Sequence, residues 1–531
     1  MRMDYKVCIM AAGVGRELGE LTKNINAALL PINYKAVISY IIEKFPNNIE
    51  IIIALGHQKQ HIKDYLSIAH PDRNFKYIEV DKYLGPGSGT GYSLLKCKDH
   101  LQCPFILSTA DTIVSEEVPG PDKNWVGIAP VRETEKYCTV KIKNDVVYQL
   151  DDKIKTNNKY ALIGLSGIKN YESFWASLEK NYDSGRGEIR DIEGFKALIE
   201  KKLEPTGFTW FDTGSLQNYM ETNRNFSGEE KSFDFSKADE FLYFVNGRVI
   251  KFFADQSITN KRVERASYLN GLCPKVEFHK GNFYAYKKVE GNTLYNVINP
   301  QILRDFLTWS QTNLWKKQNL SPEELDTFNK ACTNFYYLKT LKRIASFYEK
   351  NNISDTMNII NGVNVPTLKS LLDQIDWNYV CDGIPSQFHG DFTVGNILVT
   401  MDPKTNLQKF LLLDWRHEFG GLVKTGDIYY DLAKLYKGII LSDDLIKQGK
   451  FSFDMSGSSI YYDYDNKRSL IEAKDEYEEF ILQNGYDLHK IKMLTAIALL
   501  NMAPLHNYSF NHLVYFLGKN ILYKTLIEVK K

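Results

Sequence analysis

The chain has 531 residues, 44% hydrophobic and 25% charged, which is the composition of a globular protein too long for a single ordinary core. Its 66 lysines and arginines balance 65 aspartates and glutamates, so bulk charge gives no support to nucleic-acid binding. Seven cysteines without a C-x-x-C spacing read as reduced thiols of a cytoplasmic protein, not a disulfide framework or a zinc site. The N-terminal stretch "MRMDYKVCIMAAG" is too short in its apolar part for a signal peptide, and no apolar run approaches the roughly 20 residues that span a bilayer, so no membrane insertion is expected.

In chain order, the first part alternates strands and helices. "KVCIMAAG" (6–13) reads as a buried strand, "AVISYIIEKF" (36–45) as a helix and "IEIIIAL" (49–55) as a strand. "HIKDYLSIA" reads as a helix, "FKYIEV" (75–80) as a strand, "GYSLLKCKDHL" as a helix and "PFILSTAD" (104–111) as a strand. This alternation predicts a parallel sheet covered on both faces, with ligands beyond the carboxyl ends of the strands. Two glycine-rich loops lie at such ends. In the first, Gly13 and Gly15 follow Ala11, and glycines there let backbone N–H groups approach a triphosphate. In the second, "YLGPGSGTGYSLL" (83–95), Gly85, Ser88 and Gly89 form a backbone wall suited to a base edge.

The stretch 223–240 is polar and poor in aliphatic residues, and reads as a junction. "FLYFVNGRVIKFF" (241–253) then predicts a hairpin about Asn-Gly. The remainder is mainly helical. The segment 321–352 carries Ser321 as N-cap and Pro322 in the first turn, and "MLTAIALLNMAPL" (493–505) reads as a buried helix. The expected domains are 1–226, a linker 227–240, and 241–531, the last with a small lobe of about 241–292 and a large lobe of about 293–531.

"AAGVGREL", then Leu21-Thr22, then Ala28-Leu29-Leu30-Pro31, followed by Asp111 in "STADT" and Asp212 in "FTWFDTG", resembles the sugar-phosphate and phosphocholine nucleotidyltransferases. The resemblance implies a Rossmann-like α/β domain over residues 6–226. It also implies Mg²⁺ held by Asp111 and Asp212, and attack by a phosphomonoester on the α-phosphorus of an NTP. Glu188 is implied as an acceptor-holding residue. Two positions depart from the family pattern: its arginine belongs at 17, where this chain has Arg16 and then Glu17, and its lysine belongs at 27, where this chain has Ala27. Losing that cation should cost on the order of 10²–10⁴ in rate. Three accounts stay open: a weakened natural domain, Arg16 substituting from one place earlier, or an introduced change at 27. The otherwise intact pattern favours the third for Ala27.

"SQFHGDFTVGNILV" (386–399) and "FLLLDWRHEF" (410–419) are similar to aminoglycoside phosphotransferases and choline kinases, which have a two-lobed protein-kinase-like fold. The resemblance covers about 236–531 and implies Asp391 at the acceptor hydroxyl, Asn396 and Asp414 on Mg²⁺, and Lys251 on the ATP phosphates with Glu264 as its partner. His389-Gly390-Asp391 follows the aminoglycoside form. If the acceptor is a quaternary ammonium, Trp415, Tyr429 and Tyr430 are candidates for an aromatic cage.

Together the two halves predict a bifunctional enzyme. ATP would phosphorylate a small alcohol such as choline, ethanolamine or a polyol. An NTP, with CTP the first choice, would then activate the phosphomonoester for surface polysaccharide. A sugar kinase joined to a sugar-1-phosphate nucleotidyltransferase is the alternative, and a kinase with an impaired, nucleotide-sensing first domain is another. Homo-oligomerisation is left open.

Overall fold

The computed structural model describes residues 4–183, 190–227, 238–401 and 408–528. Most of the expected linker and Glu188 lie outside the described residues. The chain forms two compact units. Unit 1 contains the described residues up to 227 together with 238–256 and 278–285, and unit 2 contains 257–277 and those from 286 onward.

Unit 1 is built on strands β1 (Lys6–Ala11), β2 (Ile51–Leu55), β3 (Phe75–Glu79) and β4 (Phe105–Thr109), which lie side by side in the order β3-β2-β1-β4. All three pairings are parallel. β1, β2 and β4 are nearly continuous apolar runs because helices cover both of their faces. Beyond β4 the sheet continues in strands that the sequence reading did not name. The neighbouring strand Tyr160–Ile168 runs antiparallel to β4 and pairs antiparallel with Trp125–Pro130 and Cys138–Lys143. The helices expected from periodicity are present as Val37–Ile42, Lys59–Ala69 and Thr90–Cys97.

The hairpin expected at 241–253 forms as β5 (Glu240–Val245) and β6 (Arg248–Phe253). Its packing differs from the expected division of the chain, for β5 and β6 share a hydrophobic core with the first domain. Phe241, Tyr243, Ile250 and Phe252 join Ile62, Tyr65 and Leu66 in one cluster. The Tyr243 hydroxyl donates to Leu29 O at 2.9 Å, and Phe244 N donates to Tyr34 O at 2.7 Å. The apolar side chains of the hairpin find burial against helix Lys59–Ala69.

Unit 2 is mainly helical. Helices Ile428–Ile440, Leu488–Met502 and Phe510–Glu528 hold its core, the second being the buried helix expected near 493–505. Among the described residues no helix is long and apolar enough to cross a membrane. Pro322–Thr333 begins with a complete capping box, in which Ser321 Oγ accepts from Glu324 N and the Glu324 carboxylate accepts from Ser321 N. It runs through a π-helical turn, Asn334–Leu338, into Lys339–Asn351. An antiparallel pair, β7 (Ile397–Met401) and β8 (Gln408–Leu412), sets Ile397 opposite Leu412.

Candidate active sites

In unit 1 the first glycine loop leaves β1 at buried Ala11 and passes exposed Gly13 to Gly15, whose φ of +64° is the left-handed region. Asn26 ties this loop to its surroundings. Its Nδ2 donates to Ala11 O at 3.0 Å and to His57 O at 2.7 Å, and its Oδ1 accepts from Ala28 N. That cap fixes Ala27, and a methyl built on Gly15 would lie 3.1 Å from Ala27 Cβ. Position 27 therefore adjoins the first glycine loop, as the motif register implies, but presents only a methyl group there. Arg16 and Glu17 are both exposed on the following 3₁₀ turn. The second loop has Gly85, Gly87 and Gly89 at φ +84°, +80° and +148°, and Ser88 Oγ donates to Gly85 O at 2.7 Å. The two loops meet at Gly56, where a methyl would lie 2.5 Å from Ala12 O and 2.7 Å from the Tyr83 ring.

Asp111 and Asp212 are 101 residues apart in sequence and adjacent in space. A short antiparallel pair, Thr112–Val114 with Trp210–Asp212, sets Asp212 opposite Thr112. Thr213 N and Oγ1 both donate to Asp111 O at 3.0 Å. The two carboxylates converge over Gly214: a methyl there would be 3.0 Å from Asp111 Oδ2 and 3.2 Å from Asp212 Oδ1. Asn218 Nδ2 donates to Asp212 Oδ2 at 2.6 Å and Gly214 N to Asp212 Oδ1 at 2.8 Å, so that carboxylate is held from two sides. Burial raises the Asp111 carboxyl above its usual range, the Asp212 charge adds to this, and Glu17 contributes in the same sense. Two hard oxygen donors that repel each other suit Mg²⁺. Asn218 and Gly214 were not singled out from sequence, although Gly214 follows within the quoted "FDTG".

In unit 2 the turn His389–Asp391 and the end of β8 come together because β7 and β8 are paired. Leu413 N donates to Asn396 O at 2.7 Å, which sets Asn396 beside the approach to Asp414. Asn396 Nδ2 donates to Asp391 O at 2.9 Å, and Asp414 takes a left-handed φ of +55°. Gly390, at φ +86°, and His389 both donate their backbone N–H to the Asp431 carboxylate at 2.7 Å. Burial holds His389 down at about 4, so its ring is neutral. The network assigns the tautomer: Nδ1 accepts from Asp391 N at 3.2 Å, and Nε2–H donates to Leu413 O at 2.8 Å. Burial pushes Asp431 up to about 6 despite the two backbone donors. For Asp391 burial acts upward too, but the Lys434 ammonium 2.7 Å away prevails and holds it at about 2.

The site residues read from sequence divide accordingly. Asp391, Asn396 and Asp414 form one cluster. The Asp414 carboxylate also receives Arg262 at 2.6 Å, a partner the sequence reading did not name. Glu264, two residues later on the same helix, is exposed and accepts from the Tyr268 hydroxyl at 3.2 Å. Lys251 is buried on β6, opposite Leu242. The aromatic-cage candidates do not assemble: Trp415 is fully buried with its indole N–H donating to Arg262 O, and the Tyr429 hydroxyl accepts from Asp487 N. Tyr430 does line a cavity of about 120 Å³, but with Lys339, Arg343, Arg416 and Lys434, a set that repels a quaternary ammonium. Lys434 and Asp431 lie in the quoted "GDIYYDLAKL"; their i, i+3 spacing on one helix was the available signal.

About 41% of the chain is similar in sequence to known proteins. The chain is 29% identical over 232 residues to the bifunctional protein GlmU of Methanococcus vannielii, covering 41% of this chain and 54% of that protein. It is 33% identical over 107 residues to the choline-phosphate cytidylyltransferase of Streptococcus pneumoniae, covering 19% of this chain and 43% of that protein. The chain thus spans about half the length of the curated relatives it matches. Among solved structures, the CTP:phosphocholine cytidylyltransferase of S. pneumoniae aligns with 42% of this chain and 99% of its own, at 24% identity and a TM-score of 0.34. A UTP-bound UGPase from Acinetobacter baumannii aligns with 43% and 95%, at 14% identity and a TM-score of 0.37. No family model matches the chain.

Proposed function

We propose that the protein carries out two successive phosphorus transfers, a phosphorylation of a small alcohol at Asp391 and a nucleotidyl transfer at Asp111 and Asp212. The observation that carries the second activity is the convergence of the two carboxylates over Gly214, within the electrostatic reach of Glu17 just after the first glycine loop. The observation that supports the first is the Asp391, Asn396 and Asp414 cluster at the ends of a paired hairpin. In the phosphorylation, the alcohol oxygen bonds to the γ-phosphorus of ATP and the bond to the β,γ-bridging oxygen breaks. ADP leaves with the electron pair, and the hydroxyl proton passes to the Asp391 carboxylate. The neutral His389 and the buried Asp431 hold that turn in place.

In the nucleotidyl transfer, a phosphomonoester oxygen bonds to the α-phosphorus of CTP and pyrophosphate leaves. The first glycine loop binds the triphosphate through backbone N–H groups, the second faces the base edge, and Asn218 fixes the Asp212 carboxylate. Mg²⁺, bound by Asp111 and Asp212 in unit 1 and by Asn396 and Asp414 in unit 2, would neutralise phosphate charge. CTP is supported by the match to a choline-phosphate cytidylyltransferase.

A second reading, that unit 1 only senses nucleotide, is favoured by one observation: the side chain at position 27, which touches the cradle loop, is a methyl and not a cation. The test incubates the full chain with ATP and a panel of alcohols, then with CTP, UTP or GTP, and follows ADP, pyrophosphate and products by mass spectrometry. Pyrophosphate in the native chain supports two activities. Its absence in both the native chain and Ala27→Lys, with NTP binding retained, establishes the sensor.

A further inference from the structure

The cavity of about 120 Å³ in unit 2 is lined by Lys339, Arg343, Arg416, Lys434, Tyr430 and Asn501, among others, and among the described residues no carboxylate lines it. Lys434 is already engaged by Asp391 at 2.7 Å, so one side chain joins the cavity to the phosphorylation site. The other three cations have no ion pair among the described residues. Arg416 Nε donates to the Glu418 carbonyl, and the Glu418 carboxylate itself is taken by Lys261. Lys339 and Arg416 are held over one ring, Phe335, at 3.9 and 5.0 Å from its centroid. Two arginines and a lysine without an ion pair, converging on a half-buried cavity, are costly to hold in charged form unless a ligand brings the opposite charge.

The local backbone supports the same conclusion. Phe335 and Tyr336 sit on the π-helical turn Asn334–Leu338, and such turns concentrate at functional sites. The turn and the helix after it bring Phe335, Lys339 and Arg343 onto one face, at intervals of four residues.

We propose that the alcohol phosphorylated in unit 2 carries an oxyanion group of its own, a carboxylate, phosphonate or phosphate, which docks against Lys339, Arg343 and Arg416 while its hydroxyl meets Asp391. This rests on the phosphorylation reading above and specifies its substrate class. It excludes choline and disfavours uncharged polyols. The product then carries two anionic groups, the original one and the new phosphomonoester.

The test uses matched alcohols that differ in one group: glycerol, glycerate and glycerol phosphate; ethanolamine, glycolate and hydroxyethylphosphonate; and choline. ADP and phosphorylated product are measured with the full chain. Anionic members should be turned over with kcat/KM at least about tenfold above their neutral or cationic counterparts. Lys339→Gln and Arg343→Gln should each raise acceptor KM about 10- to 100-fold without changing KM for ATP, and Lys339→Arg should restore it. Comparable turnover of choline or glycerol, or an unchanged acceptor KM in both variants, overturns the proposal. Inorganic phosphate binding, measured by calorimetry on the full chain and on Lys339→Gln, separates the two readings. If the variant loses phosphate affinity but no alcohol yields ADP, the anion pocket stands and the phosphorylation reading falls. If phosphate affinity is unchanged in the variant, the pocket proposal is wrong whatever the turnover.

Discussion

Lys339→Met should stabilise the ligand-free protein. The substitution keeps most of the side-chain volume and removes a cation. Distances of 3.9 and 5.0 Å from the same Phe335 ring place the Lys339 and Arg416 charges within about 9 Å of each other. At an effective dielectric constant of about 20, that repulsion is about 2 kcal/mol. Arg343 and Lys434 add to it, Glu418 pulls the other way, and loss of the contact with Phe335 removes about 1 kcal/mol. The net gain is about 1–2 kcal/mol, or about 2–6 °C in the unit 2 transition. Burial, then Arg416, Arg343 and Lys434, hold the Lys339 ammonium at about 6 against an ordinary 10.5. The folded state therefore binds fewer protons than the unfolded state between about pH 6 and 10.5, and the native protein gains stability as pH rises across that window. The advantage of the methionine variant is then greatest near pH 6 and fades above it. Differential scanning calorimetry in phosphate-free, low-salt buffer at pH 6 and pH 9 measures both effects. A lower midpoint for Lys339→Met than for the native chain at pH 6 refutes the reasoning.

Asp111→Asn and Asp212→Asn should each lower CTP-dependent pyrophosphate release by on the order of 10²–10⁴, read as initial rates at saturating Mg²⁺. Gly214→Ala should weaken Mg²⁺ binding in unit 1, because its methyl would lie 3.0 and 3.2 Å from the two carboxylate oxygens; metal titration calorimetry checks this. Ala27→Lys should raise nucleotidyl transfer by on the order of 10² or more, and an unchanged rate would show that the cation is supplied elsewhere. Because burial and Asp212 raise Asp111, nucleotidyl transfer at low Mg²⁺ should fall on acidification above the usual carboxylate range, and higher Mg²⁺ should move that limb to lower pH. Asp391→Ala should abolish ADP formation while leaving CTP chemistry intact.

The sequence was most legible where periodicity and burial agree. β1, β2 and β4 read as strands because both faces are covered, which leaves little room for polar residues. Asp111, Asp212, Asp391, Asn396 and Asp414 stood out because each closes a strand or turn in a recognisable context. What lay out of reach was pairing between distant segments. Tyr243 reads as a strand residue of a later domain, and its hydroxyl donates to Leu29 O. Arg262 and Glu264 are two residues apart, on different sides of one helix, and only the fold shows that Arg262 reaches Asp414. Lys339, Arg343 and Arg416 look like ordinary surface cations, since nothing local marks the π-turn that aligns two of them or the loop that brings the third. Trp415, Tyr429 and Tyr430 read as a cage only for a quaternary ammonium acceptor, and only the fold shows that Tyr430 shares a cavity with four basic side chains.

The two sites have opposite charge deficits. In unit 1, Asp111 and Asp212 face each other, Glu17 adds to the field at Asp111, and position 27 supplies no cation. In unit 2, three cations face a cavity without a carboxylate. Each arrangement raises the energy of the empty protein, and each is relieved by a ligand of opposite sign. A ligand that binds only the folded form stabilises it by RT ln(1 + [L]/Kd), about 2.7 kcal/mol at 100 times Kd. Mg²⁺ with CTP should therefore raise the unit 1 transition, and inorganic phosphate the unit 2 transition. Large multidomain chains seldom unfold in one step, so the two can be followed separately. Trp125 and Trp175 in unit 1, and Trp315 and Trp415 in unit 2, are buried reporters for that purpose. Phosphate acting only on unit 1 would mean that the cations of unit 2 are satisfied without a ligand, and the charge argument for its substrate would fail.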